Sequence, residues 1–320
     1  MDKIRRRLLL GAAGSLAMPI MPAFAAAPFE YNLKAVRIAP NSYVVIGKRE
    51  FFTKQNGGDI VNIAFISTSE GVVVIDTGPS QRYGLALKKL IKETTGKEVV
   101  RVYNTHFHPD HCLGNQVFNT KDIAALPKTI SGLKSSGDAF SDNLYRLLGD
   151  WMLGTELTIP GTPITFSSEK FGEHRFELLP MQGHTDADLA ILDHSTGVLY
   201  AGDLCFLDRA ATTPHADLQK WYEALKALRK TPHKMIFPGH GPVDPTDRSI
   251  DQTDHYLRWL EEQLVFSVKN GKDMIEASQM PIPQEFKSID VIKDEIERSV
   301  AHLYPGLEEK LLPFVGQGDG

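Results

Sequence analysis

Cysteine is scarce in this chain. Only two of the 320 residues are cysteines, Cys112 and Cys205, which is too few for a fold held together by disulfide bonds. Each lies beside a residue that could bind a metal, so the two thiols could meet and pair in an oxidising compartment. We favour the simpler interpretation, in which both are small buried side chains. The sequence therefore predicts neither a disulfide scaffold nor a thiolate ligand.

Basic residues are also in the minority. The chain has 35 lysines and arginines against 40 aspartates and glutamates, a net charge of −5. It has no basic stripe, so nucleic acid is not an expected partner. The apolar fraction of 42% is enough to build a sizeable core.

A long apolar run is missing as well. The best candidate, residues 8–21, is short and rich in Gly, Ala and Pro, so it does not indicate a membrane span. It follows a basic head at residues 3–7 and precedes Ala23-Phe24-Ala25, a small-x-small cleavage site. Residues 1–25 are therefore predicted to be a signal peptide, and the arginine run fits twin-arginine export. We expect a periplasmic protein without a stable membrane anchor after cleavage.

Strands and helices alternate along the rest of the chain. The apolar runs Val72–Ile75 and Val99–Tyr103 are typical of buried strands. A long helix is predicted over Ile250–Val268, whereas residues 121–160 are less regular, with an amphipathic helix only near their end. Alternation of this kind favours an α/β sandwich with helices outside.

Metal-binding side chains are concentrated after the second of these strands. His106 and His108 are two positions apart and share a side of extended backbone. Pro109 then ends the extended run, and Asp110 and His111 enter a turn or helix start. Four such residues in six positions predict a metal site, and their placement suits two adjacent ions better than one.

Three later candidates share one layout, in which an apolar segment and a glycine come directly before the residue: His184, Asp203 and His240. Loops at strand ends are where α/β folds collect functional groups. The other histidines lack this context and are predicted at the surface, with His215 left open: His174, His194, His215, His233, His255 and His302.

The seven candidate ligands divide into two groups. One ion would be held by His106, His108 and His184. The second would be held by Asp110, His111 and His240. Asp203 would bridge the two ions, and a hydroxide between them would be a nucleophile at neutral pH. Nitrogen and oxygen ligands without thiolate predict zinc, with iron or manganese as alternatives.

These residues resemble the His-x-His-x-Asp-His signature and later motifs of the metallo-β-lactamase superfamily. The resemblance implies an αβ/βα sandwich of two mixed β-sheets with flanking helices. Residues 30–245 would form the catalytic domain, and residues 246–320 a helical extension packed on it. Asp76 matches an aspartate that does not bind metal and orients the ligand loop, and Asp110 would be catalytic.

Within the superfamily, an aspartate at position 203 is similar to glyoxalase II and to lactonases. The runs Asp203–Phe206 and Arg209–His215 look most like periplasmic zinc metallohydrolases associated with quinoprotein dehydrogenase and sulfur-oxidation systems. That resemblance implies a functional link to such a system.

The resulting prediction is a periplasmic dinuclear zinc hydrolase of a small-molecule ester, thioester, lactone or amide. One alternative is a mononuclear iron oxidoreductase similar to persulfide dioxygenases, using His106, His184 and Asp203. Two others are a β-lactamase and a non-catalytic accessory protein of a quinoprotein dehydrogenase.

The sequence does not name the substrate, but it suggests a pocket. Trp151, Met152 and Phe206 are candidates for an apolar wall, and Arg209 and His215 for polar contacts. Ordinary packing and loop positions are an equally good explanation of these five residues.

Overall fold

The structure is a computed structural model that describes residues 29–312. The predicted signal peptide, residues 1–25, lies outside the described residues and remains a prediction. Between residues 29 and 312, no helix is long and apolar enough to cross a membrane.

Two β-sheets form the centre of the described part of the chain. The first has seven strands in chain order: β1 (Val36–Ala39), β2 (Ser42–Val45), β3 (Ile63–Thr68), β4 (Gly71–Ile75), β5 (Val99–Tyr103), β6 (Ile123–Ala125) and β7 (Thr162–Pro163). The second has the order β12-β11-β10-β9-β8: β8 (Ser168–Phe171), β9 (His174–Met181), β10 (Asp188–Asp193), β11 (Val198–Phe206) and β12 (Met235–His240). Both sheets are mixed, because β4 to β7 and the pair β11–β12 are parallel whereas the other neighbours are antiparallel.

Helices cover the outer faces of both sheets. They are α1 (Gln81–Thr95), α2 (Pro109–Cys112), α3 (Pro127–Leu148), α4 (Leu218–Lys230), α5 (Arg248–Lys269), α6 (Met274–Ser278) and α7 (Ile292–Leu311). Capping residues determine where several of these helices begin or end. The Ser80 side chain accepts from the Tyr83 N–H at the start of α1, and Gly96 closes that helix with φ 69°. Asp217 caps α4 in the same way as Ser80 caps α1.

Three apolar layers hold the sandwich together. Between the sheets, Ile75 and Tyr103 of the first pack with Phe176 and Leu189 of the second. Outside the first sheet, α1 buries Leu87 among strand valines. Outside the second sheet, α4, α5 and α7 share one core. The predicted αβ/βα sandwich with two mixed sheets is confirmed.

The expectation of an irregular segment at 121–160 was too cautious. Helix α3 spans 22 residues and begins at Pro127. Its first half contains Gly132 and Gly137, which are poor helix formers and obscure the periodicity. Both are tight packing positions, because a Cβ at Gly132 would lie 2.9 Å from the Phe107 ring and one at Gly137 2.6 Å from Leu157. Packing against the loop after β5 therefore overrides the weak local preference.

Candidate metal centre

One edge of the sandwich collects all seven candidate ligands. His106 and His108 follow β5, and Asp110 and His111 lie in the short helix α2. His184 follows β9, and His240 is the last residue of β12. Asp203 differs from expectation, because β11 continues through it to Phe206. The register between β11 and β12 shifts on either side of Gly202, which lets the strand carry Asp203 into the site.

Glycines beside the ligands allow close backbone approach. Gly202 has φ 53° and lies against Thr105, where a Cβ would be 3.0 Å from the threonine Cβ. A Cβ at Gly239 would lie only 1.9 Å from Oδ1 of Asp203. Only glycine fits this second position without displacing the carboxylate.

The first group of donors surrounds one side of Asp203. The His184 Nε2 atom lies 3.3 Å from Asp203 Oδ2, and His106 Nε2 lies 3.8 Å from the same oxygen. His108 Nδ1 is 2.9 Å from His184 Nε2. These four side chains are buried, and one donor atom from each lies within 4.8 Å of the others.

The second group meets the same carboxylate, through both of its oxygens. His111 Nε2 lies 3.3 Å from Asp203 Oδ1 and 3.6 Å from Asp110 Oδ2. His240 Nε2 lies 3.4 Å from Asp110 Oδ2 and 3.4 Å from Asp203 Oδ2. Asp203 is therefore placed between two donor sets, which is the arrangement that a bridging carboxylate requires.

Several donor atoms in this centre have no hydrogen-bond partner among residues 29–312. They are His106 Nε2, His111 Nε2 and Asp203 Oδ1. An unsatisfied buried polar atom costs about 1–3 kcal/mol, so a cluster of them is not a stable end state. Cations would satisfy the imidazole and carboxylate atoms that face one another, so the residues fit a metal centre.

The protonation state of the first donor group suits metal binding. Burial holds the pKa of His106, His108 and His184 well below the usual value for histidine, so these rings are neutral and have a lone pair to donate. In the second group, Asp203 and Asp110 raise the pKa of His111 and His240 despite burial, so a metal ion must displace protons there. Burial alone would raise the pKa of Asp110 and Asp203, but neighbouring histidines hold both well below the usual value. Both carboxylates are therefore ionised.

Asp76 orients the ligand loop, in line with its predicted role. It has φ 64°, a conformation that Asp and Asn tolerate better than most residues. Its Oδ1 accepts from the Thr105 N–H at 2.8 Å, and its Oδ2 accepts from Thr105 Oγ1 at 2.8 Å. Oδ2 also lies 2.8 Å from His111 Nδ1. A proton on that nitrogen leaves the His111 Nε2 lone pair facing Asp203 and Asp110.

Two further contacts orient His240, and no sequence pattern predicts either of them. Its Nδ1 lies 2.8 Å from the Ile60 carbonyl oxygen, which fixes a proton there and leaves Nε2 free to bind metal. The buried Asn62 amide donates to the carbonyls of Pro238 and Gly241, on either side of the histidine. The strand-to-loop transition before β3 therefore holds the loop that carries His240.

A cavity of about 320 Å³ opens onto the donors. Of the residues predicted to form a pocket, Arg209 and His215 line it. Phe206 lies behind the site and stacks on His240, with ring centroids 5.3 Å apart. Trp151 lies elsewhere, because its Nε1 donates to the Lys54 carbonyl and its ring packs on Tyr31. Met152 does not line the cavity, but it is buried in one cluster with Leu144 and Leu148 of α3.

The apolar side of the cavity comes from residues that were not named as pocket candidates, although Leu144 and Leu147 belong to the amphipathic helix predicted near the end of 121–160. The full set is Phe51, Phe52, Ile60, Phe140, Leu144 and Leu147. The pair at 51–52 lies in a loop that no periodic pattern marks. The last three lie on one face of α3, and the periodicity that identifies them as apolar does not say that the face meets a metal centre.

Two of the remaining histidines need comment. His215 lies at the cavity, with its Nδ1 2.8 Å from Nε2 of the candidate ligand His108. His174 was predicted at the surface, and that prediction was wrong. It is buried, and its Nδ1 lies 2.8 Å from Asp193 Oδ2. This carboxylate partner offsets the free-energy cost of burying the polar ring.

Both cysteines are buried and free, and the Cys112 thiol donates to the His106 carbonyl oxygen at 3.0 Å. Burial raises the pKa of each thiol well above its usual value. We therefore expect native protein to react slowly with a thiol reagent. Replacing Cys112 with Ser and Cys205 with Ala should leave the metal content per chain unchanged, as measured by mass spectrometry of the bound elements. A loss of one ion in the double variant would contradict this.

Comparison with known proteins places this geometry in a family. The sequence model of the metallo-β-lactamase superfamily matches residues 56–240, a range that includes Asp76 and every candidate ligand. The chain belongs to this superfamily. Membership and the His/Asp donor set together support a metal-dependent hydrolase.

Two curated proteins are similar to this chain at low sequence identity. A β-lactamase-like protein 2 homolog from Caenorhabditis elegans is 23% identical over 226 residues, 70% of each chain. Metallo-β-lactamase type 2 from Bacillus cereus is 22% identical over 186 residues, 56% of this chain and 66% of that one.

Solved superfamily structures show the same fold. A metallo-β-lactamase from Pontibacter korlensis aligns with a TM-score of 0.57 at 20% identity, over 71% of this chain and 99% of its own. The metallo-β-lactamase FIM-1 from Pseudomonas aeruginosa, in its mono-zinc form, aligns with a TM-score of 0.57 at 17% identity. The alignment covers 72% of this chain and 97% of that one.

Proposed function

We propose that this chain is an exported hydrolase that uses two zinc ions to cleave an ester, thioester, lactone or amide. The observation that carries the proposal is the position of Asp203, whose carboxylate lies within 3.4 Å of His184 from the first donor group and of His111 and His240 from the second. His106, His108 and His184 would hold one ion, and Asp110, His111 and His240 the other. When bound, such ions polarise a carbonyl group and lower the pKa of water to near neutrality.

The protein side chains position the reaction. The cavity leads the substrate onto His108, Asp110, Asp203 and His240. Ionised Asp110 lies at this surface and is placed to accept a hydrogen bond from the attacking water and to aim it at the carbonyl carbon. The apolar wall excludes bulk water, which strengthens every electrostatic interaction inside.

Metal analysis and a substrate panel test the proposal. Protein purified from its native compartment should contain two zinc ions per chain and should hydrolyse activated thioesters, esters or lactones. One iron per chain, with oxygen uptake in the presence of a persulfide, would support the oxidoreductase instead. Rapid turnover of nitrocefin would identify a β-lactamase.

Removal of the metal should destabilise the fold. Ligands that bind only the native state at a hundred times their Kd add about 2.7 kcal/mol. Chelation should therefore lower Tm by roughly 5–10 °C for a domain of this size, and zinc should restore it. A Tm that does not respond to chelation, in protein shown to have lost its metal, would contradict a centre built from these buried donors.

Export is a separate part of the proposal, and residues 1–25 support it. Export should fail in cells that lack the twin-arginine translocase. Undiminished export in such cells would show that the protein does not use the twin-arginine route.

A further inference from the structure

The cavity wall also includes two arginines and a histidine, which lie beside the apolar residues Phe51 and Phe140. It contains Arg209, His215 and Arg298, and the last of these comes from the C-terminal helix α7. The family match ends at residue 240, so Arg298 lies in the part of the chain that the shared motifs do not describe. Arg209 and Arg298 differ in whether a carboxylate is paired with the guanidinium group, and this difference decides their roles.

Arg209 is already neutralised. Its Nη2 lies 3.3 Å from Glu295 Oε1, and both side chains are buried. The Thr212 hydroxyl donates to the same carboxylate oxygen at 2.6 Å. A buried pair of this kind is a structural element, because removing one partner leaves an uncompensated charge.

Arg298 has no such partner. Across residues 29–312 no carboxylate lies within ion-pair distance of its guanidinium, although the side chain is half-buried and lines the same cavity as Asp110 and Asp203. Its backbone position is fixed by its neighbours on α7. Glu295 is tied to Arg209, and Ser299 accepts from the Thr213 hydroxyl at 2.7 Å. The part of the α7 backbone that carries Arg298 is therefore held beside the cavity.

The arginine and the apolar residues of the cavity together indicate which kind of ligand would bind. We infer that Arg298 binds an anionic group of the substrate while the apolar wall formed by residues 51–52 and α3 holds an apolar acyl or aryl group. The substrate class is therefore an ester, thioester, lactone or amide with a carboxylate or similar anion beside an apolar body. This inference rests on the proposed function for the reaction, and on the cavity alone for the ligand. Guanidinium groups bind planar anions with two parallel hydrogen bonds.

A weakly coordinating anion distinguishes binding by Arg298 from binding by the metal ions. The probes are 4-phenylbutane-1-sulfonate and the corresponding neutral methyl sulfone, titrated by calorimetry into zinc-loaded protein. We expect the sulfonate to bind at least about tenfold more tightly than the sulfone, because only the sulfonate can form a charged hydrogen-bonded pair with the guanidinium group. Arg298→Met should abolish this preference without changing sulfone affinity. Lys293→Met, on an exposed position of the same helix, should retain it.

The outcomes are distinguishable. A sulfonate preference that persists in Arg298→Met, or none in the unaltered protein, would overturn the inference. With matched anionic and neutral thioesters, Arg298→Met should raise KM for the anionic one at least about tenfold and leave kcat nearly unchanged. If no substrate is hydrolysed while the sulfonate preference holds, the proposed function fails and the assignment of Arg298 stands.

Discussion

Asp110→Asn is expected to lower turnover at least about a hundredfold, or roughly 3 kcal/mol in the activation barrier. The change keeps the shape of the side chain but removes a negative charge 3.4 Å from His240 Nε2 and 3.6 Å from His111 Nε2. An amide is a much poorer metal ligand than a carboxylate. The first donor group and Asp203 remain, so one ion should stay bound. Thermal stability should fall by no more than the loss of one bound ion costs, because no packing is lost.

Steady-state kinetics and metal content of the same preparation check this result. The matched control is Asp142→Asn, which removes one charge from an exposed position on α3. Full activity in Asp110→Asn with two ions still bound would show that the second donor group is wrongly assigned.

Asp76→Asn should have a comparably large effect by a different route. Asparagine tolerates the left-handed backbone of this position and can keep the bond to the Thr105 N–H. Its amide group would stand where Oδ2 now accepts from Thr105 and His111. Because an NH2 group donates, His111 would carry its proton on Nε2 and lose the lone pair that faces the site. We expect loss of the second ion and a fall of about 3 kcal/mol in the free energy of unfolding.

The chain contains a close match for this experiment. Asp193 Oδ2 lies 2.8 Å from His174 Nδ1 and accepts from Thr196 Oγ1 at 2.7 Å, while Oδ1 accepts from the Ser195 N–H at 3.0 Å. It ends β10, at the opposite edge of the sheet from the ligands. Asp193→Asn should cost similar stability and leave metal content unchanged. Equal metal loss in both variants would mean that general destabilisation explains the effect.

The metal centre was easier to predict than its surroundings. His106, His108, Asp110 and His111 are dense in sequence, and their residue types have few other uses in combination. His184, Asp203 and His240 could be added because strand ends converge at one edge of a sheet. Each of these signals is local, so a single sequence contains it.

The cavity could not be predicted in the same way. Phe51 and Arg298 come from a loop and a helix that are remote from the motifs, and only the packing of α7 on the second sheet brings Arg298 to the site. Trp151 was misplaced because an amphipathic pattern identifies a buried face without saying what it packs against. Its true neighbour, Tyr31, lies 120 positions earlier.

The Arg209–Glu295 pair has a consequence for the order in which the protein is assembled. The two residues lie 86 positions apart, and all seven candidate ligands precede α7 in the chain. During synthesis the ligands therefore leave the ribosome before Glu295 does. A buried guanidinium without a counter-charge costs several kcal/mol, so the segment carrying Arg209 stays in water until α7 arrives. Helix α7 is thus the last element to be made, and its docking both neutralises Arg209 and completes the wall of the cavity.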